Sequence, residues 1–261
     1  MDSATSNKET LRWFALRKEQ IRKQIDLYRL QTNLTPLKTG LFTTGGATIC
    51  SHTLKRYNSQ YVILYVGEHF VVRVHESYRV ASIVNDKTCC GLLKTDFIPT
   101  REMRKVHLTV GGLRILRVPN AGGSSVVSEV MSFELLSRCF SAKLKKTEME
   151  VSYFPHGGSI TDYVCEIFQE TVGVSVTRAM KYRGTYTYDD AYHLLNKKLR
   201  GIIQSSKNSQ EHWSKQILHI WSTSEYITEI LMQTYTMIDP EIKSNTVVII
   251  TTAKSADCIF N

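Results

Sequence analysis

The spacing of apolar positions changes twice along the chain, and each stretch predicts a different kind of element. Over residues 7–33, Leu11, Phe14, Ile21, Ile25, Leu27 and Tyr28 fall on one side of a helical wheel. Arg12, Arg17, Lys18, Arg22, Lys23 and Arg29 fall on the other, which predicts one amphipathic basic helix. From Pro36 to Pro119 the period shortens. QYVILYV, HFVVRVH, RVASIV, GLLKTDFI, VHLTVGG and LRILRV are rich in β-branched and aromatic residues and separated by Gly, Asn-Asp and Pro. They predict a meander of short antiparallel strands over 36–120. Asn120-Ala-Gly-Gly123 reads as the boundary with the C-terminal part of the chain.

Beyond that boundary helix and strand alternate, the pattern of an α/β (α+β) domain over 121–261. Ser124 or Ser125 can cap a helix over 125–141, in which Val126, Val130, Phe133, Leu136 and Phe140 recur at helical spacing. TEMEVSYF, SITDYVCEIF and VGVSVTRAM then predict three strands. Thr187 with Asp190 forms a capping box ahead of a long helix, KQILHIW a further strand, and Ser222 with Glu225 caps a helix stopped at Asp239-Pro240. TVVIITTA is apolar on both faces, as a central strand must be. The expected order is α-β-β-β-α-β-α-β, preceded by the helical segment 1–35 and the β-rich domain 36–120.

Charge and composition narrow the chemistry. The 261 residues carry a formal net charge of +9, which favours a polyanionic partner, nucleic acid first, DNA or RNA. The basic face of residues 7–33 suits phosphate contact, and the N-terminal region is also assigned as the surface for a protein partner. Six cysteines without a C-x-x-C pair read as small buried residues in a reducing, intracellular compartment, whether nucleus, cytoplasm or mitochondrion. The opening MDSATSNKET lacks the apolar core of a secretory leader, and no apolar run is long enough for a membrane span. A membrane partner is therefore not expected. Neither G-x-S-x-G nor G-x-x-x-x-G-K-[ST] occurs, which sets aside serine-hydrolase and P-loop chemistry. His52, His69, His75 and His107 stand at no ligand spacing and are assigned no metal, and Gly111-Gly112 reads as a turn or bulge.

With an acid in the opening helix and Asp162 in the second strand, the C-terminal order resembles the PD-(D/E)XK, or restriction-endonuclease-like, superfamily over roughly residues 121–253. The resemblance implies a restriction-endonuclease-like core and Mg²⁺ held by Asp162 and by Glu129, with Glu134 about a turn away. Where the family has Glu-x-Lys on the third strand, this chain has Ser175-x-Thr177, so these two occupy the catalytic positions without the expected groups. Glu150 and Glu166 are the acids that could complete the metal set in their place. Arg178, Lys181, Arg183, Lys197 and Lys198 are the candidate phosphate contacts, interleaved with Tyr182, Tyr186 and Tyr188. Two functions are implied: a Mg²⁺-dependent nuclease, or a catalytically inactive nuclease fold kept for nucleic-acid binding or complex assembly.

Overall fold

The computed structural model describes residues 53–57, 60–102, 105–121 and 125–261. The helix expected over 7–33, the segment 1–35 and the partner surface assigned to it lie outside the described residues, as does His52. What is described is a mixed α/β structure built on one sheet.

The chain enters through three antiparallel strands: β1 (Thr53–Tyr57), β2 (Gln60–Val66) and β3 (Phe70–Val74). Helix α1 (Tyr78–Asn85) leads to β4 (Gly91–Pro99), and α2 (Val110–Arg117) precedes α3 (Val126–Phe140). Strands β5 (Lys143–Thr147), β6 (Tyr163–Ile167) and β7 (Glu170–Ala179) come next, then the long α4 (Tyr188–Asn208). The chain closes through β8 (Lys215–Ser222), α5 (Glu225–Met237), the short α6 (Pro240–Lys243) and β9 (Thr246–Ala253).

The nine strands among the described residues lie in one sheet, ordered β1-β2-β3-β4-β9-β8-β7-β6-β5. Its middle, β4-β9-β8-β7, is parallel, and antiparallel arms extend from both sides. Val247 and Ile249 of β9 pack with α3, Phe97 and Trp221 on one face. Val248 and Ile250 pack with α4 and α5 on the other. The expectation of a buried central strand therefore holds, for the reason its composition suggested.

The boundary expected at 120–123 does not separate two structural units. β4 pairs in parallel with β9 from Gly91↔Val247 to Phe97↔Ala253, and Phe70, Val72, Leu93 and Phe97 share one core with α3 and β7. A strand that is apolar on both faces and central needs a neighbour on each edge, and β4 supplies the second one. Two of the expected strands are helices. In RVASIV, the buried Val80, Ile83 and Val84 sit three and four apart, which is helical spacing. LRILRV lies in α2, capped by Thr109 Oγ1 accepting from Gly112 N at 3.1 Å. VHLTVGG is no strand either: it runs irregularly into the start of α2. The Gly111-Gly112 pair is thus inside a helix, where a side chain on Gly112 would collide with the Glu134 carboxylate.

Buried polar groups are threaded through the first core. Tyr163 Oη meets Ser132 Oγ at 2.7 Å, and His219 bridges Ser132 Oγ (2.7 Å) and Thr251 Oγ1 (2.7 Å). Thr251 meets Thr95 at 2.6 Å. Five side chains from α3, β6, β8, β9 and β4 satisfy one another, which fixes the register of α3 on the sheet.

Candidate metal and nucleic-acid site

The site begins where two strands part. β6 pairs with β7 from Ile167↔Glu170 to Tyr163↔Val174, and Asp162 N adds one more bond to Val174 O at 3.0 Å. β7 continues to Ala179 on its β8 side alone, since β8 stays in register through Ala179↔Ser222. The next β7 amide, Val176 N, has lost its β6 carbonyl. It donates instead to Asp162 Oδ2 at 2.5 Å. One carboxylate oxygen thereby closes the ladder.

Two more acids arrive from other elements. Glu129 lies in the first turn of α3 and is only 3% exposed. Burial is the main reason its pKa is raised; Glu148 raises it further, while the Ser125 hydrogen bond, Lys198 and Arg178 pull it back. The Asp162 carboxyl is pushed up to about 7, first by burial and then by the charge of Glu129, against the opposing bond from Val176 N and the charge of Lys198. Glu148 also bears on Asp162, and its Oε2 accepts from Ala121 N at 2.6 Å. Acids from α3, from the start of β6 and from the segment after β5 thus act on one another, and Lys198 of α4 acts on both Asp162 and Glu129.

The expected site residues divide into those brought together and those sent elsewhere. Asp162 and Glu129 are near enough that the charge of Glu129 raises the Asp162 pKa. Ser175 lies just past the last β6–β7 pair, between Val174 and Val176, whose backbone groups both bond Asp162, and is buried, with Thr177 two residues on along the same face. Glu150 does not join them. Both of its oxygens accept from Arg114 Nη2, at 2.5 and 2.6 Å, and it accepts from Thr147 N at 2.8 Å. Glu166 pairs with Lys145 at 2.7 Å and lies four residues along β6 from Asp162, roughly 13 Å away at strand rise. Both are corrections: salt bridges at the surface hold these carboxylates outside the metal set. Glu134 is fully buried but pinned to Thr109 N (2.6 Å), Thr109 Oγ1 (2.7 Å) and Arg138 Nε (2.9 Å). It ties α2 to α3.

The basic candidates divide similarly. Arg178 Nη1 donates to Asn261 O at 3.0 Å, and its charge reaches Glu129, which puts it on the α3 side of β7. Lys181 pairs with Asp190 at 2.7 Å, inside the capping box that starts α4. It anchors its loop to that helix. Arg183 and Lys197 are exposed, and Tyr182 is 90% exposed beside Arg183 in sequence. Tyr186, in contrast, is buried against α4.

Glu148 is the acid that sequence reasoning missed. TEMEVSYF was expected as a strand, yet β5 ends at Thr147 and a short 3₁₀ turn, Glu148–Glu150, succeeds it. The signal was present: Thr147-x-x-Glu150 is a capping box, with Thr147 N donating back to Glu150. The second miss was Lys198, read as a phosphate contact on an outer helix face although its charge reaches the acids.

The donor set is made of oxygen, as Mg²⁺ requires, and two mutually repelling, partly desolvated carboxylates are a site that a cation relieves. Asp162 and Glu129, with Glu148 acting on both, are the acids that could turn to such an ion. Among the described residues, the side chains already drawn within 4.8 Å of one another as a potential metal cluster are Glu68, His69 and His107, so these three acids are less tightly gathered.

No family model matches the chain, and no solved structure matches it. Among curated proteins it is similar to the AAC-rich mRNA clone AAC4 protein of Dictyostelium discoideum, 40% identical over 188 residues, which is 69% of this chain. The match spans 28% of that protein's length, and its name states no activity.

Proposed function

We propose that the chain is a Mg²⁺-dependent phosphodiesterase of the restriction-endonuclease-like type, acting on nucleic acid. The observation that carries this reading is the place of Asp162 at the parted edge of β6 and β7, where its own burial and the charge of Glu129 on α3 raise its pKa. Desolvated carboxylates that act on one another are costly to keep charged, and such perturbed acids cluster at functional sites. The order β5-β6-β7-β8, with α3 on one face and α4 on the other, supports the resemblance from which the roles are drawn.

In this reading Asp162 and Glu129 hold the ion, and Asp162 keeps its bond to Val176 N as the brace that orients it. A Mg²⁺ ion there supplies Lewis-acid stabilisation of phosphate charge and a more acidic water. Lys198 provides the ammonium that Thr177 cannot. Arginine cannot serve as the base, so Arg178 acts on phosphate charge alone. Arg183 and Lys197, both exposed, extend the cationic surface for the nucleic-acid backbone.

Ser175-x-Thr177 favours a second reading: the same fold binding nucleic acid, or assembling a complex, without cleaving. One experiment separates the two. Duplex and single-stranded DNA and RNA are incubated with wild type and Asp162→Asn, with and without Mg²⁺, and binding is measured over graded salt. Mg²⁺-dependent cleavage lost in Asp162→Asn supports the first reading. Salt-sensitive binding without cleavage selects the second, and a chain that binds no nucleic acid overturns the first and leaves only the assembly form of the second.

A further inference from the structure

A second cluster lies away from these acids, at the turn between β2 and β3. Glu68, His69 and His107 bring one donor atom each within 4.8 Å of one another. His69 and His107 meet edge to face with ring centroids 4.9 Å apart, and Glu68 Oε2 stands 3.8 Å from His69 Nε2. They line a cavity of about 110 Å³ together with Tyr65, Gly67, Phe70 and Arg138. Thirty-eight positions separate the two histidines in the chain (107 − 69), which is why no ligand spacing was visible.

The backbone around the cluster is built. His69 O accepts from Thr100 N at 2.8 Å and Arg101 N at 3.3 Å, and Gly67 N donates to Phe70 O at 3.0 Å. His107 O accepts from Arg138 Nη2 at 2.7 Å. Both histidines are therefore held by their main chains. Independently of this convergence, His69 is 4% exposed and its Nδ1 is buried without a hydrogen-bond partner. An unpartnered buried nitrogen makes this imidazole costly to keep, and it is the Nε2 side of the ring that faces Glu68. A metal ion is what two imidazoles and a carboxylate share.

We propose that Glu68, His69 and His107 bind a divalent transition-metal ion of the zinc class. Nitrogen donors distinguish this site from the all-oxygen set at Asp162, which suits Mg²⁺. Three protein ligands facing a cavity leave a fourth position for water. The ion clips the β2–β3 turn to the segment entering α2. Two arginines stand nearby, and neither blocks it. Arg138 is neutralised by the buried Glu134 at 2.9 Å. Arg101 holds Glu68 at 2.7 Å, but the Glu68 side chain is 59% exposed and solvent weakens the pair. Coordination to the ion replaces that pair, so the carboxylate exchanges partners.

The chain, stripped with chelator, is titrated with ZnCl₂ by calorimetry and with CoCl₂ in visible absorption. One ion per chain is expected, with cobalt d–d bands and a zinc-dependent rise in melting temperature. Glu68→Gln weakens binding roughly tenfold and His107→Ala roughly a hundredfold, while Asp162→Asn leaves it unchanged. His69→Ala removes a buried ring, so the surface variants Glu68→Gln and His107→Ala carry the test. Wild-type affinity in both of these overturns the proposal. So does the absence of zinc binding.

Discussion

Asp162 Oδ2 accepts the Val176 amide at 2.5 Å, standing in for the backbone carbonyl that β6 withdraws as it parts from β7. A side chain used to finish a ladder is normally stabilising. Here burial and Glu129 act against it and hold the carboxyl near 7, far above its ordinary 3.8. Between those two values the folded chain keeps a proton that the unfolded chain has released, so stability falls as pH rises from about 3.8 to about 7.

Asp162→Asn keeps an oxygen for Val176 N and removes the charge. Measured by urea unfolding in chelator, the variant is expected to be more stable than wild type by roughly 1–3 kcal/mol at pH 8. At pH 4 the difference should shrink towards zero, because the wild-type carboxyl is then neutral in the fold. A variant less stable than wild type at both pH values would mean that the Asp162 carboxylate is a plain structural brace.

The shared sheet predicts how the chain can be cut. A fragment of residues 121–261 keeps every element of the expected α/β order, yet it exposes the β9 edge that pairs with β4. It also loses Phe70 and Phe97 from the core, each worth about 1.5–3 kcal/mol in burial. The fragment is expected to aggregate or to lack dispersed amide resonances, whereas 53–261 should be monodisperse. A well-folded 121–261 fragment would restore the boundary at residue 120.

The C-terminal half was legible because its signals are local. Capping at Thr187, the 3.6-residue stripe of α4 and the two-sided apolar run of β9 each fix an element from its own residues. Pairing is not local. Nothing within GLLKTDFI names TVVIITTA as its neighbour, with Leu93 opposite Ile249 at a separation of 156 residues (249 − 93), so a connected sheet read as two domains. RVASIV and LRILRV were misassigned for another reason: a short β-branched run fits both periods, and its packing partner decides. At the site, Asp162 stood out by interrupting an apolar strand. Glu148 and Lys198 were hidden because their roles depend on where a 3₁₀ turn and a distant helix come to rest.

His219 should make the fold acid-sensitive. Its ring is fully buried between Ser132 and Thr251, and burial lowers its pKa to about 3. Between about 3 and 6.5 the unfolded chain binds a proton that the folded chain refuses, so stability is lost as pH falls through that window. His219→Gln is expected to cost roughly 2–4 kcal/mol at pH 7 through imperfect replacement of two buried hydrogen bonds. Its unfolding free energy should then vary with pH by about one proton less than wild type between pH 6.5 and 4. An unchanged slope would assign the acid transition to other groups.

Lys198 and Lys197 are neighbours on α4 with different surroundings, and that difference separates chemistry from binding. Lys198 is partly buried and its charge reaches Asp162 and Glu129, while Lys197 is exposed. If Lys198 supplies the ammonium missing at Thr177, Lys198→Ala lowers Mg²⁺-dependent cleavage about a hundredfold with substrate affinity within a few fold. Lys197→Ala does the opposite. It weakens binding on all sequences, reduces the salt slope by about one, and leaves cleavage at saturating substrate intact. Single-turnover cleavage and binding isotherms at graded salt read the two effects separately. Should the two variants behave alike, Lys198 is one phosphate contact among several and the ammonium must be sought elsewhere.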